Sequence, residues 1–589
     1  MVHTAIIDDN AVVGTATKAL ACMLQLAETM ESLAGATMSS REVWAPKGLS
    51  DQDKSAYGAA GYAVMTDGVV FAGTPIGTAE FMEAHVKKVA DVAIVRLGQA
   101  VRMSKVDPSK PSLQAIFRWV RMSVVPKFNF LLRVVDPAIT IPHAKRIDEA
   151  IVRCCLRLAG VEEDFNGISK DAAGMAKRAR IVQLIHLPIA RGGLGLASQV
   201  AAAHAAYVGC WAATIAGVVG SKEKGGLELP SPAEGDTPEY MSAYASSLEY
   251  LRSKGVLIPE ALEVGKVLKN PIFGAQSVLS QGIAEQVRNT LDNALAELPK
   301  NKQESRVRQE ADLAAKSREG GAWLSASPRL VGCSMSDYEF RLALRTRLGM
   351  EMPEVAAVKG VCSACAKEMD TLGQHAHVCS KLRDVRSANA AMYQQQLRRE
   401  LKRADAILTV LPGEPHLKEY MAEKAGQKAQ GDPRADIIFI LNNGQENGAH
   451  VLVDLVNCAT SAMSRKQSST AGGAAQHAER RKNKQYARVW EAKPGGPPTV
   501  VRGFAQESAG PLGKFARKLL MLCATHTAPR GLPGSDPVGQ RYSRIIERYS
   551  VLAQKRCAAV QMHYINTCCK VGGQPDAPAP PNDDSGEGE

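Results

Sequence analysis

Residues 431 to 458, GDPRADIIFILNNGQENGAHVLVDLVNC, read as two apolar strands joined by an Asn/Gly-rich turn, and each strand carries an aspartate where an apolar side chain belongs. Taking an isolated carboxylate out of water is costly, so Asp436 and Asp454 need partners. Two neighbouring carboxylates suit a divalent cation. The hairpin alone also permits a plainer arrangement, in which both carboxylates sit at strand ends, reach water or pair with Arg434. The rest of the chain decides between them.

At 589 residues and 45% hydrophobic, the chain is long enough for roughly three or four domains with their own cores. A net charge of +12 and a pI of about 9.0 point to a polyanionic partner, nucleic acid before anionic membrane. The start, MVHTAIIDDN, lacks the basic, apolar and small-residue regions of a signal peptide, so the 13 cysteines are expected inside the cell as thiols or metal ligands. The longest apolar run, residues 201 to 220, could span a bilayer by length. It is built from Ala and Gly around His204, which favours a buried helix and no membrane partner.

Along the chain, residues 1 to 84 mix short strand-like pieces (TAII, AVVG, GVVFAG) with a helix from Thr17 to about Leu33, and two strands meet in a hairpin at Asp8 and Asp9. Helical periodicity dominates from about Glu80 to Gly220, then a Gly/Pro/Ser-rich, charged stretch at 221 to 245 reads as a loop before more helices to about Gly349. Further helices are expected at about 383 to 405, 472 to 490 and 512 to 568. The end, GGQPDAPAPPNDDSGEGE, has the composition of a disordered acidic tail. No repeat of fixed period is present.

The segment CSACAKEMDTLGQHAHVC sets Cys362 and Cys365 at C-x2-C spacing and follows them with His375 and Cys379. A C-x2-C turn aims two thiolates at one ion, and a His and a Cys one helical turn apart can close the tetrahedron that zinc prefers. His377 is the rival to His375, although its place two residues before Cys379 requires a tighter loop. Nothing marks an open coordination position, so the ion is expected to be structural.

Behind the hairpin comes AGGAAQHAERRKNKQYARVW, which puts Lys482 and Lys484 on one helix beside Tyr486. Metal-dependent phosphodiester cleavage uses carboxylates to hold Mg²⁺ or Mn²⁺ and benefits from a lysine near the attacking water. Alone, ERRKNK reads as a solvated helix face or a nuclear-import patch.

The order of a C-x2-C…H…C knuckle, an R-A-D strand, a V-D-L-V strand and a lysine-bearing helix resembles the C-terminal part of non-LTR retrotransposon proteins that carry a restriction-like endonuclease of the P-D-(D/E)-x-K superfamily. The resemblance implies Asp436 and Asp454 as metal ligands and Lys482 as the catalytic lysine, with Lys484 also a candidate. Arg434, Arg480, Arg481 and Tyr486 would flank the site or meet nucleic acid. This chain departs from the pattern at Ala435, where the family has proline, and at Gln485 before the tyrosine.

The resemblance extends upstream. AIIDDNAVVG is similar to the Y-x-D-D hairpin of a reverse transcriptase, with Asp8 and Asp9 as the metal pair, and VVFAGTPIGTAEF is similar to its primer grip. SVVPKFNFLLRVVDP, LPIARGGLGLAS and FRLALRTRLGM resemble the thumb and connector. Implied, then, is a multidomain chain, mainly α with α/β parts. It comprises a truncated palm (1–84), a helical thumb (85–220), a linker and helical connector (221–350), a CCHC zinc knuckle (351–385), a restriction-like endonuclease (386–570) and a disordered tail (571–589). With seven residues ahead of Asp8, no polymerase activity is expected.

The leading expectation is an enzyme that nicks DNA to prime reverse transcription, with DNA and RNA as partners, structural Zn²⁺, catalytic Mg²⁺ or Mn²⁺, and a nuclear location. The competing one is a non-catalytic nucleic-acid-binding remnant. A zinc-containing adaptor is a third, and steep salt dependence of nucleic-acid binding would exclude it.

Overall fold

The computed structural model describes residues 2–569 except 7–8, 35–40, 105–111, 220–236, 299–302, 358–360, 383, 386–389, 430, 432, 443–447, 459–469, 509 and 528–535. The architecture is mainly helical with separate α/β parts, the expected class. The expected tail at 571–589 lies outside the described residues.

The chain opens on an antiparallel hairpin, β1 (Val2–Ile6) and β2 (Asp9–Val13), in which Asp9 pairs through its backbone with Ile6. Asp8 lies outside the described residues. A second hairpin joins β3 (Gly68–Phe71) to β4 (Thr74–Gly77) through Ala72 and Gly73, both at positive φ as a tight hairpin turn requires. Gly68 and Gly77 face each other so closely that a Cβ on Gly68 would lie 2.6 Å from the Ile76 carbonyl and one on Gly77 2.3 Å from that of Asp67. Only glycine fits either place.

Helix α1 (Ala79–Met103) starts at once, with the Thr78 hydroxyl accepting from the Phe81 N–H. It carries the chain through the boundary expected at 84/85 without a break, so hairpin and bundle are joined by a continuous helix. It packs on α2 (Pro137–Ala159), which the Asp136 cap and Pro137 begin and left-handed Gly160 ends. The apolar run becomes α3 (Gln199–Val219), long and apolar enough to cross a membrane by length and composition. Its Ala203 and Ala206 enter the α1/α2 core, while Tyr207, Val208, Ala212 and Ile215 enter a second core with Tyr244, Leu248 and Leu279.

Two of the thumb- and connector-like segments are physically tied. From α4 (Asp337–Leu348), Arg347 donates to the carbonyls of Gly193 (3.0 Å), Gly320 (2.9 Å), Ile189 (3.2 Å) and Ala315 (3.2 Å). Removing this guanidinium would leave buried carbonyls unpaired, which costs more than the bonds themselves contribute.

Toward the C-terminus, four strands form one sheet in the order β8 (Thr499–Glu507), β7 (His450–Cys458), β6 (Ile437–Leu441), β5 (Ile407–Val410). β6 and β7 are the antiparallel pair expected from the sequence; their turn at 443–447 lies outside the described residues. β7 and β8 run parallel, with α6 (Gly473–Val489) as the crossover between them. Phe439, Val451, Val453 and Phe504 pack on one side against α5 (Ala390–Lys402), α7 (Lys514–His526) and α8 (Val538–Cys568).

α8 links regions that the sequence reading separated. Its Tyr542, Ile545, Ile546 and Tyr549 fill the sheet core, Val551 joins the thumb-like bundle, and Ala558, Val560 and Tyr564 pack under the Cys/His segment. The boundary expected at 385/386 therefore separates stretches of sequence that share a core.

Candidate functional site

The Cys/His segment folds on two local turns. Ala366 N–H donates to the Cys362 carbonyl (2.8 Å), and Ala366 takes a positive φ that brings the two thiols to the same side. Buried Asp370 accepts from the backbone N–H groups of Gln374 (2.9 Å) and His375 (2.7 Å), which fixes the turn bearing the histidine. As a result the ligand atoms of Cys362, Cys365, His375 and Cys379 lie within 4.8 Å of one another. Cys362 and Cys379 Sγ are 3.9 Å apart, and Cys365 Sγ is 3.3 Å from His375 Nε2. Three sulfurs and one ring nitrogen so placed fit a tetrahedral ion such as zinc. His377 is buried but stands outside the cluster, so the geometry selects His375. Burial, reinforced by the neighbouring thiols of Cys365 and Cys362, pushes Cys379 up to about 12, so without an ion this thiol keeps its proton, which a bound metal would displace.

The second constellation is assembled from distant segments. Asp454 lies mid-way along β7 and is buried; Lys482 Nζ reaches its Oδ2 at 2.7 Å and the Tyr486 hydroxyl donates to the same oxygen. Lys482 and Tyr486 are four residues apart on α6 and so share a face. Gly503 on β8, directly opposite Asp454, makes the approach possible. A Cβ there would sit 3.0 Å from Lys482 Cβ and 3.2 Å from Glu479 Cα, holding the helix off the sheet.

Asp436 immediately precedes β6, and its Oδ2 accepts from Leu455 N–H, which sets it beside Asp454. Desolvation, with the charges of Asp454 and Glu414, pushes the Asp436 carboxyl up to about 6. Its backbone carbonyl is held by Gln394 Nε2 (2.6 Å) and Arg398 Nη2 (2.8 Å) from α5. Ala435, where the resemblance would place a proline, is buried and donates its N–H to the Pro415 carbonyl at 3.0 Å. Proline has no N–H to give, so the departure has a local physical reason.

The other expected residues stand apart from this contact. Lys484, Arg480 and Arg481 are exposed on α6, and Arg434 is exposed where its backbone bridges to His416. Sequence reasoning missed Gln394, Arg398 and Glu414: the helix at 383 to 405 is expected, but nothing in its residues or in the loop after it says that they meet the strand pair. It also passed over two buried acids. Glu479 accepts from Phe515 and Ala516 N–H (3.0 Å each) and caps α7, while Glu507 accepts from Ala474 N–H (3.1 Å) and caps α6. Burial pushes Glu507 up to about 7, yet both acids are spent on helix ends. Among the described residues, Asp454 is the carboxylate that pairs with Lys482, and Asp436 lies beside Asp454. No family model matches this chain, and comparison with curated proteins finds no similar one.

Proposed function

We propose that the β5–β8 sheet carries a metal-dependent DNA endonuclease of the restriction-like kind, in a protein derived from a non-LTR retroelement, and that the Cys/His knuckle is its structural zinc module. The observation that carries the reading is Lys482 Nζ at 2.7 Å from Asp454 Oδ2, with Asp436 alongside. Two adjacent carboxylates offer only oxygen donors, which fits Mg²⁺ or Mn²⁺ better than a thiophilic ion. Such an ion, when bound, would lower the pKa of a water and offset phosphate charge. Asp436 and Asp454 would hold it. Lys482 keeps a positive charge where the attacked phosphate gathers negative charge, and Tyr486 fixes the Asp454 carboxylate in orientation. The exposed Arg434, Arg480, Arg481 and Lys484 would meet DNA or RNA phosphates without touching the chemistry. An intracellular, nuclear site of action belongs to the same reading.

The double occupation of one Asp454 oxygen by Lys482 and Tyr486 favours a second reading, a closed ion-paired site in a nucleic-acid-binding remnant. Conversion of supercoiled plasmid to open circles in Mg²⁺, by wild type and by Asp454→Ala, separates the two. Nicking confined to wild type supports the enzyme, and salt-sensitive binding without nicking supports the remnant.

A further inference from the structure

On the opposite face of the sheet a buried cation stands without an ion pair among the described residues. Arg556, on α8, is 7% exposed, and its Nε and Nη1 are buried with no hydrogen-bond partner. Its guanidinium carbon lies 5.7 Å from the centroid of the Tyr393 ring, a cation–π contact that supplies no acceptor. The Tyr393 hydroxyl is also buried and faces the Asn457 side chain, and neither the hydroxyl nor Asn457 Nδ2 reaches a further hydrogen-bond partner among the described residues. Asn457 lies three residues beyond Asp454 on β7 and so points to the other face of the sheet. Half-buried Ser508 joins the group through Asn457 Oδ1 (3.3 Å), and the Cys557 thiol donates to the Ser508 carbonyl (2.7 Å).

Folded proteins leave only a few such atoms unsatisfied per hundred residues, and here two guanidinium nitrogens gather with the Tyr393 hydroxyl and the Asn457 amide in one place, with a floor of Arg556 and Tyr393 and a half-buried rim of Asn457, Ser508 and Cys557. Guanidinium, amide and hydroxyl all donate, so what is missing is acceptors and negative charge together, which an oxyanion supplies and a water or a metal ion does not. We infer that Arg556, Asn457, Tyr393 and Ser508 form a binding site for one phosphate-class oxyanion, on the face of the sheet away from Lys482. The phosphate comes from a nucleic-acid backbone or from a free phosphate. The site stands independently of the proposed nuclease.

The test is thermal unfolding of the full, zinc-loaded chain in inorganic phosphate against chloride at equal ionic strength. Wild type rises by about 2–4 °C in excess phosphate. Arg556→Met loses the rise and melts no lower than wild type in chloride, because an unpaired buried cation has been removed. Asn457→Asp puts a carboxylate beside Arg556, so it melts higher than wild type in chloride and ignores phosphate; it carries the test alone should Arg556→Met not fold. A single-stranded DNA 12-mer separates the sources. If the phosphate belongs to nucleic acid, Arg556→Met binds the 12-mer roughly 3–10-fold more weakly with a salt slope smaller by about one contact; if it is free, the 12-mer binds both proteins alike while the phosphate response persists in wild type. Equal melting of wild type in phosphate and chloride, or a wild-type response in both variants, overturns the site.

Discussion

The knuckle and the carboxylate–lysine site both take polar side chains out of water, and they are put together in opposite ways. In the knuckle all four ligands come from residues 362 to 379, brought together by a thiol turn and by the Asp370 bonds to the histidine turn. In the sheet, Asp436, Asp454 and Lys482 come from the residue before one strand, the middle of the next and a crossover helix, braced by α5 from one side and admitted by Gly503 on the neighbouring strand. On the proposed reading an ion would organise the first region, whereas in the second the fold stands by itself and the carboxylates would receive an ion. Damage to the knuckle should therefore appear as lost structure, and damage to the sheet site as lost chemistry in an intact fold.

The largest expected effect lies in the knuckle. Cys379→Ser should bring bound zinc from one per chain to near zero and remove much of the roughly 10 kcal/mol that small zinc units draw from their metal. Because Tyr564 packs close to His375, at 5.8 Å between ring centroids, the C-terminal half of α8 should lose hydrogen-exchange protection with it. A Cys379→Ser protein that keeps its zinc would break the comparison, and so would zinc loss from His377→Ala with retention in His375→Ala.

Next comes the chemistry. Asp436→Ala and Asp454→Ala should each lower Mg²⁺-dependent nicking by at least about a hundredfold. The melting temperature should hold or rise in Asp436→Ala, since a desolvated carboxyl beside two like charges has been removed.

Smaller effects sharpen the geometry. Lys482→Ala should lower turnover roughly 10–100-fold with little change in DNA affinity, whereas exposed Lys484→Ala should weaken binding a few-fold and leave turnover alone. Gly503→Ala tests the approach itself. Its Cβ must push α6 back by a few tenths of an ångström, and turnover should fall about tenfold with zinc content unchanged.

The mildest effect is in pH. Asp436 is lifted to about 6, so it gives up its proton as pH rises through 6, and the nicking rate should climb over that interval and level above it. Without divalent ion the stability runs the other way. The folded carboxyl holds its proton between the ordinary aspartate range and about 6 while the unfolded one does not, so this contribution is present at acid pH and is lost as pH rises through 6. Asp436→Asn should abolish both dependences, read by initial rates and by denaturant midpoints.

The contrast between the regions also explains what can be read from the residues alone. The zinc set is legible because thiol spacing is local, and loop length already favours His375 over His377. The strand pair and α6 are legible from periodicity. The parallel pairing of β7 with β8 is not, nor is the role of Gly503, because a lone glycine in a strand does not say which helix it admits. Gln394 and Arg398 look like solvated helix residues until their bonds to the Asp436 carbonyl are seen. Glu479 and Glu507 look like surface charges until the N–H groups of α7 and α6 are found pointing at them. In the sequence, Ala435 reads as a departure from the resemblance; its N–H bond gives it a structural use.

The account's central claim is that Asp436 and Asp454 form a metal site separate from the zinc centre, and the most direct measurement is Mg²⁺-titrated nicking of supercoiled DNA by zinc-loaded wild type, Asp436→Ala and Asp454→Ala side by side, with zinc counted in each. The account predicts one zinc in all three proteins and nicking in wild type alone; wild-type nicking by either variant, or its loss only together with zinc, would contradict it.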